Sequence, residues 1–165
     1  MATEVTSAAP TTGNITVAFI MSGFEDQDFQ SDHDQDYFEE IAFANSDSMW
    51  DYFDEVSGGA LNVEGEVFGP YTLDGDAAEY SSGSSFVRDS VEIADDDIYY
   101  PDFDAVVAIH SGPGGESTGD DNDIWSAHWP SITITTVSYT HLRAHETREA
   151  LGCPLGREKK KGGGG

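Results

Sequence analysis

The sequence predicts an α/β fold in which a twisted, mixed β-sheet is backed by helices. Two apolar runs, residues 14–21 (NITVAFIM) and 105–110 (AVVAIH), have the uninterrupted composition of strands that are buried on both faces. Between them, residues 48–58 and 86–95 carry apolar side chains at the three-to-four spacing of amphipathic helices. Strands that alternate with helical segments are typical of α/β domains.

The first half of the chain contains one strand and one well-marked helix. The strand at residues 14–21 follows a glycine and leads into an acidic loop, residues 24–36. Phe38, Ile41 and Ala42 then indicate a short helical turn. The next helix is capped by Ser46 or Ser48 and ends at Gly58. Its apolar positions are Met49, Trp50, Tyr52, Phe53 and Val56.

The rest of the predicted domain contains three further strands and one helix. Residues 61–67 alternate between apolar and polar side chains, which predicts a half-exposed strand, and Gly69-Pro70 predicts a turn into residues 71–73. A helix is expected from Phe86 to Asp95. Residues 105–110 form a buried strand, and residues 132–137 (ITITTV) form the last predicted strand.

The charge of the chain limits its partners and suggests its environment. The 165 residues include 32 Asp and Glu against 7 Lys and Arg, a formal net charge of −25. Nucleic acid is excluded as a partner because its phosphates must be neutralised by Lys and Arg. No apolar run is long enough to span a membrane, and no signal peptide is visible. The acidic surface suits a saline or calcium-rich extracellular setting, although an ordinary acidic domain would have the same composition.

The charge distribution divides the chain into three parts. Residues 1–13 are a polar leader, residues 14–137 form the predicted domain, and residues 138–165 form a basic tail. Residues 1–137 hold one basic residue against 29 acidic ones, whereas the tail holds six basic residues against three acidic ones. The string VSYTHLRAHET at residues 137–147 resembles translated sequencing-adapter read-through, and GREKKKGGGG resembles a translated homopolymer. We therefore expect the tail to be non-native, with a basic interaction tail as the alternative.

Several motifs resemble one peptidase family. The chain reads DYFDEVSGGAL at residues 51–61, GPYT at 69–72, VVAIHSG at 106–112 and DIWSAHW at 123–129, and FEDQ follows the first strand at 24–27. In this order they resemble the N-terminal part of the catalytic domain of immune inhibitor A-like zinc metallopeptidases. The resemblance covers most of residues 14–137.

The resemblance implies a zincin-like fold, a zinc cofactor and protein or peptide substrates. In such enzymes a helix with the pattern HExxH supplies two zinc ligands and the glutamate that activates water. This helix is expected after the last strand, but the sequence lacks it. The closest string, HETRE at residues 145–149, has Glu149 in place of the second ligand, and His141 has no glutamate beside it. The chain is thus expected to be truncated before the active-site helix and to be inactive.

The candidate site among the residues that are present is a carboxylate cluster. Oxygen donors in a glycine-containing loop suit calcium, which tolerates irregular geometry. The spacing does not match an EF-hand, and an unliganded solvated loop is the alternative. The candidate calcium ligands are Glu116, Asp120, Asp121 and Asp123. A second, weaker cation candidate comprises Asp95, Asp96, Asp97, Asp102 and Asp104.

Other chemistries fit the sequence poorly. The glycine-rich loop at residues 112–119 has no lysine to meet a phosphate. Ser111 follows a strand, but Ile109 and Pro113 occupy the positions where a nucleophile elbow requires glycine. His110 and His128 are expected to be structural, and core packing is expected for Trp125 and Trp129.

The sequence therefore predicts a fragment of a secreted zinc-dependent endopeptidase. Two alternatives belong to other classes. One is a non-catalytic, calcium-binding extracellular module. The other is an acidic binding or inhibitory protein that captures cationic partners.

Overall fold

The computed structural model describes residues 11–44 and 46–128, which form a small parallel sheet covered by helices. Strands β1 (Gly13–Gly23), β2 (Leu61–Thr72) and β3 (Ala105–His110) lie in the order β2-β1-β3. Both strand pairs are parallel, so the α/β prediction is confirmed, whereas a mixture of strand directions is not found among these residues. The helices are α1 (Gln35–Phe43), α2 (Met49–Ser57), α3 (Gly83–Ile93) and the short α4 (Gly115–Thr118). Two 3₁₀ turns span Ala77–Tyr80 and Tyr100–Asp102.

Strand β1 is the centre of the fold and is buried on both faces, as its sequence predicts. Because side chains alternate along a strand, its apolar run serves two separate cores. One face presents Ile15, Val17, Phe19 and Met21, and aromatic side chains of α1 and α2 pack there. The other face presents Ala18 and Ile20, against which Val91 of α3 packs. The sheet is therefore sandwiched between α1 and α2 on one side and α3 on the other.

Helix α1 is longer than the predicted turn. It spans nine residues and begins inside the stretch predicted to be an acidic loop. Asp34 explains the difference, because its side chain accepts a hydrogen bond from the Tyr37 backbone N–H at 3.0 Å and so caps the helix. The predicted loop was too long because Asp34 was interpreted as part of an acidic run and not as the helix cap.

Helix α2 agrees with the prediction at both ends. Ser48 is the N-cap, and its hydroxyl accepts from the Asp51 backbone N–H at 3.1 Å. Gly58 ends the helix with a φ of 64°, which glycine adopts without a Cβ penalty. Tyr52 and Val56, predicted to belong to its apolar face, are each 60% exposed. The predicted apolar face is therefore broader than the face that packs on the sheet.

The predicted turn at Gly69-Pro70 is wrong. Strand β2 continues through this dipeptide to Thr72, with a cis peptide bond before Pro70 and a register shift opposite Ile20 and Ser22. The irregularity is a bulge within the strand, and bulges accommodate glycine and proline at sheet edges. Residues 69–72 therefore extend the sheet rather than leaving it.

Strand β3 is present as predicted but is not buried. Val106 and Val107 are 38% and 37% exposed, although they point to opposite faces of the sheet. The reason is position: β3 pairs with β1 on one side and forms an edge of the sheet in the described part. The predicted strand at residues 132–137 and the basic tail lie outside the described residues, as does most of the polar leader. Among the residues that the structure describes, no helix is long and apolar enough to cross a membrane.

Candidate functional site

The loops that follow the three strands meet on one side of the sheet. Because the strands are parallel, their carboxyl ends share an edge, and open α/β sheets place ligand sites there. We call this region the carboxyl edge and define it as residues 24–27, 73–80 and 111–126. It contains the motif at 24–27 and parts of two others, residues 111–112 and 123–126, and it directly follows the motif at 69–72. The fifth motif, residues 51–61, spans most of α2 and reaches the start of β2.

The loop after β1 is tied to the loop after β2 by three hydrogen bonds. The Leu73 backbone N–H donates to Gly23 O at 2.9 Å, and the Glu25 N–H donates to Gly75 O at 3.1 Å. The Asp26 carboxylate accepts from the Ala77 N–H at 2.8 Å. Asp26 therefore holds the 3₁₀ turn after β2 in place, a role that the sequence analysis did not assign.

The loop after β1 is also tied to the end of β3. The Ser111 N–H donates to Ser22 O at 3.3 Å, and the Ser111 hydroxyl donates to Gln27 O at 2.7 Å. The side-chain amide of Gln27 lies directly against Gly112, where any side chain would collide with it. Gly112 also has a φ of +82°, a conformation that favours glycine, and an added side chain would in addition have to displace the Gln27 amide.

An aromatic cluster lies beneath these loops. The Phe24 ring centroid is 5.4 Å from that of Tyr80 and 5.9 Å from that of Phe86. All three side chains are buried. Leu73, from the same loop as Tyr80, and Ile124, from the loop after β3, complete the cluster. The three loops therefore share one core, which we call the edge core, and they are fixed relative to each other by packing as well as by hydrogen bonds.

His110 and Ser111 have structural contacts at the end of β3. The Nδ1 atom of His110 lies 2.9 Å from Ser111 O, and its ring packs edge-on against Phe86 at 5.8 Å. Ser111 is 2% exposed, and its hydroxyl donates a hydrogen bond to Gln27 O. These contacts agree with the expectation that His110 is structural, and they hold the Ser111 hydroxyl away from solvent.

The glycine-rich loop after β3 is closed by Glu116. The Glu116 carboxylate accepts a hydrogen bond from the Ser126 backbone N–H, and the Gly115 N–H donates to Ile124 O at 3.0 Å. The indole of Trp125 covers Gly115 and donates to Asp120 O at 3.3 Å. Trp125 is 45% exposed, so it lies over the loop rather than in the core that the sequence predicted.

The four candidate calcium ligands lie in this loop but face different partners. Glu116 accepts from Ser126, the Asp120 carboxylate accepts from the Asn122 backbone and side-chain amides, and Asp123 accepts from the Thr118 hydroxyl. Asp121 is exposed. In the described ranges no three His, Cys, Asp or Glu side chains are grouped to hold a metal ion. Calcium binding by this loop stays a prediction, and it would require these internal bonds to exchange for metal contacts.

The second acidic group is also distributed over separate partners. Asp104 accepts from the Thr16 backbone N–H at 2.9 Å and joins the starts of β1 and β3. Asp97 accepts from the Tyr71 hydroxyl at 2.9 Å. Asp95 is 7% exposed, whereas Asp96 and Asp102 are exposed. These residues act at different points of the scaffold.

A shallow groove that was not expected from the sequence lies beside β2. Its volume is about 310 Å³, and Gln35, Glu66, Tyr71 and Asp97 contribute polar atoms to its lining. Burial, together with the hydrogen bond to Asp97, raises the pKa of the Tyr71 hydroxyl, so Tyr71 remains a donor over the whole neutral range. The only sequence signal was the Gly69-Pro70 irregularity that shapes the strand here.

The Glu116 loop is expected to loosen in acid. The Glu116 carboxylate accepts hydrogen bonds from backbone N–H groups, and these lower its pKa below the usual 4.5. The Glu116 N–H has the largest effect, and the Ser126 N–H has the next largest. Since a lowered carboxyl pKa stabilises the folded state above the ordinary value, this contribution is lost as pH falls through the lowered pKa. In an NMR titration, the Ser126 amide shift should report a midpoint below 4.5, and this step should vanish in Glu116→Gln. A midpoint at or above 4.5 would contradict the assignment of Glu116 as the loop's closing residue.

Comparison with protein-family models and with curated proteins found no match to this chain.

Proposed function

We propose that this chain is the upstream part of the catalytic domain of a secreted zinc-dependent endopeptidase of the immune inhibitor A-like type. The supporting observation is the assembly of the carboxyl edge. Segments 24–27, 111–112 and 123–126, which are far apart in sequence and carry the resemblance, contact one another or the same edge core there. Loops after parallel strands meet at one edge in any such sheet, so the support comes from the specific contacts between motif residues, such as the bond from the Ser111 hydroxyl to Gln27 O.

The described residues do not themselves fit a catalytic zinc. His110 is engaged with the neighbouring carbonyl, and His33 stacks on Tyr37 with ring centroids 4.4 Å apart. A catalytic zinc needs three protein ligands with an open position, and no such group exists in the part of the chain that the structure describes. The role that we assign to this chain is therefore scaffolding: its parallel sheet and edge core would support an active-site helix supplied by downstream sequence.

The test is to compare the 165-residue chain with the same chain continued into its native coding sequence beyond residue 137. We expect the continued protein to contain HExxH and to hydrolyse a fluorogenic peptide or casein. A chelator should abolish this activity and zinc should restore it, and replacing the glutamate of HExxH by glutamine should remove it without loss of folding.

Three results would contradict the proposal. The native gene could continue without HExxH or end as printed, or the 165-residue chain could hydrolyse peptides in a chelator-sensitive way. A continuation without HExxH whose thermal unfolding midpoint depends on calcium would instead select the non-catalytic module. Salt-sensitive binding to a basic protein, unaffected by chelator, would select the acidic binding protein.

A further inference from the structure

Two buried hydroxyls have no hydrogen-bond partner in the described part of the chain. Ser22 of β1 and Ser90 of α3 are both 0% exposed, and neither Oγ atom bonds to another group. Burying a hydroxyl without a partner is costly, so nearly all such groups in folded proteins bond to protein or to ordered water. The two serines therefore mark a polar site inside the molecule.

The contacts between α3 and β1 fix the direction in which the helix crosses the strand. Near the carboxyl end of β1, the Phe24 and Phe86 ring centroids are 5.9 Å apart. Further back along the strand, Ile20 shares a buried core with Ala94. The strand residues rise in number where the helix residues fall, so α3 runs antiparallel to β1.

This packing brings the two serines to the same level. Ser22 lies halfway between residues 20 and 24 of the strand, and Ser90 lies halfway between residues 86 and 94 of the helix. Four strand residues span about 13 Å and eight helix residues span about 12 Å, so the two segments match in length. Ser22 shares its face of the sheet with Ile20, because side chains alternate along a strand. The two hydroxyls therefore lie across from each other between α3 and the sheet.

His110 borders this site from the neighbouring strand. It pairs with Ser22 in the register of β1 and β3, and its ring packs edge-on against Phe86 at 5.8 Å, which places it on the α3 face. Its Nδ1 atom lies 2.9 Å from Ser111 O. Because a carbonyl oxygen only accepts, Nδ1 carries the proton, and Nε2 is the acceptor of the neutral ring. The two serines thus have a polar ring beside them as well as the Phe86 ring.

We propose that Ser22 and Ser90 bind one internal water molecule between β1 and α3. The larger side chains at either end, Phe24 with Phe86 and Ile20 with its neighbours on the helix, set the separation of helix and strand. Two serines across from each other fill only part of that separation. Each hydroxyl can donate one hydrogen bond and accept two, so a water between them has the two or more polar partners that it requires. This water joins α3 to the carboxyl end of β1.

Two other arrangements of the hydroxyls compete with the water. Ser90 could donate to the carbonyl oxygen of Phe86, four residues earlier, as serines in helices often do. The two hydroxyls could also bond directly to each other. Neither bond is present in the structure.

A crystal structure of the 165-residue chain, at a resolution that shows ordered waters, tests the site directly. A water should lie about 2.7–3.0 Å from the Oγ atoms of both Ser22 and Ser90. This measurement needs no variant, so it holds even if a substitution in the core prevents folding.

A double-mutant cycle on the thermal unfolding midpoint gives an independent test. Ser22→Ala or Ser90→Ala alone should lower the midpoint by about 3–5 °C, because each breaks the bridge and leaves the other hydroxyl incompletely bonded. The double variant should fall no further than the less stable single variant, since both buried hydroxyls are then gone. Ser81→Ala is the matched control, because Ser81 is exposed just before α3. Its effect should be close to zero and additive with that of Ser22→Ala.

Four results would overturn the inference. The crystal structure could show the two hydroxyls bonded directly, or Ser90 bonded to Phe86 O, with no water between the serines. Single variants that are both more stable than the unmodified chain would show that the hydroxyls are unpaired and the site is dry. Additive effects of the two substitutions would show that no bridge connects them. None of these outcomes depends on peptidase activity, so the inference can fail while the proposed function stands, and the reverse.

Discussion

Replacing Gly65 by alanine is expected to destabilise the protein by about 3 kcal/mol or more, the largest effect of a single added methyl group that we expect in this fold. A Cβ at this position would overlap the backbone carbonyl oxygen of Val17 and would lie 2.7 Å from Cζ of Phe43. Val17 is the residue of β1 that pairs with Gly65, so the obstacle is the neighbouring strand itself. Side chains can rotate away from an added atom, but a paired backbone can move only by breaking the sheet.

Urea unfolding measures this effect. In Gly65→Ala the midpoint should fall by about 1 M or more with an unchanged slope, since the surface exposed on unfolding stays similar. Glu64→Ala and Glu66→Ala are the matched controls, because both neighbours are exposed and their removal should change stability by no more than about 0.5 kcal/mol. A Gly65→Ala midpoint equal to those of the controls would show that β1 and β2 are not packed as closely as described.

Local signals predicted the helices and strands well where one residue type decides the conformation. Ser48 and Gly58 mark the ends of α2 because a hydroxyl cap and a left-handed terminus are local requirements. The long apolar run of β1 predicts burial on both faces and the structure confirms it. Asp34 carried an equally local signal for α1, but the surrounding acidic residues concealed it.

Features that depend on distant partners could not be predicted from the sequence. Gly69-Pro70 is a frequent turn signal, yet pairing with β1 keeps it within β2. The composition of β3 predicts burial, but Val106 and Val107 are exposed because β3 lies at an edge of the described sheet. At the carboxyl edge, the sequence identified the segments but not their contacts, because the bond from Ser111 to Gln27 O joins residues 84 positions apart.

Replacing Phe24 by alanine is expected to cost about 3–5 kcal/mol, the usual range for deleting a buried phenylalanine. Phe24 is 1% exposed and is among the largest fully buried side chains in the described residues. Its ring contacts Tyr80 and Phe86, which belong to the turn after β2 and to α3. The cavity would therefore open where three loops and one helix meet, and no single neighbour can fill it.

The effect should be distributed unevenly over the molecule. Phe53 of α2 provides the matched control, because the same ring lies half-buried on the opposite face of the sheet and should cost less when it is removed. Hydrogen exchange in Phe24→Ala should accelerate first for Leu73 and Ser111, whose backbone N–H groups bond to Gly23 O and Ser22 O. In Phe53→Ala these two amides should keep their protection relative to the rest of the sheet.

Comparison of Phe24→Ala with Phe53→Ala also shows whether the edge core or the sheet holds the carboxyl-edge loops in place. If the edge core holds the carboxyl-edge loops, Phe24→Leu should retain most of the stability, because it keeps more of the buried volume, and it should restore protection of Ser111. A loss below about 1 kcal/mol in Phe24→Ala, or equal acceleration of all strand amides, would mean that the loops are held by their hydrogen bonds alone. In that case the sheet and its hydrogen bonds, rather than the edge core, would hold the motif segments together, and packing would not form a support at the carboxyl edge.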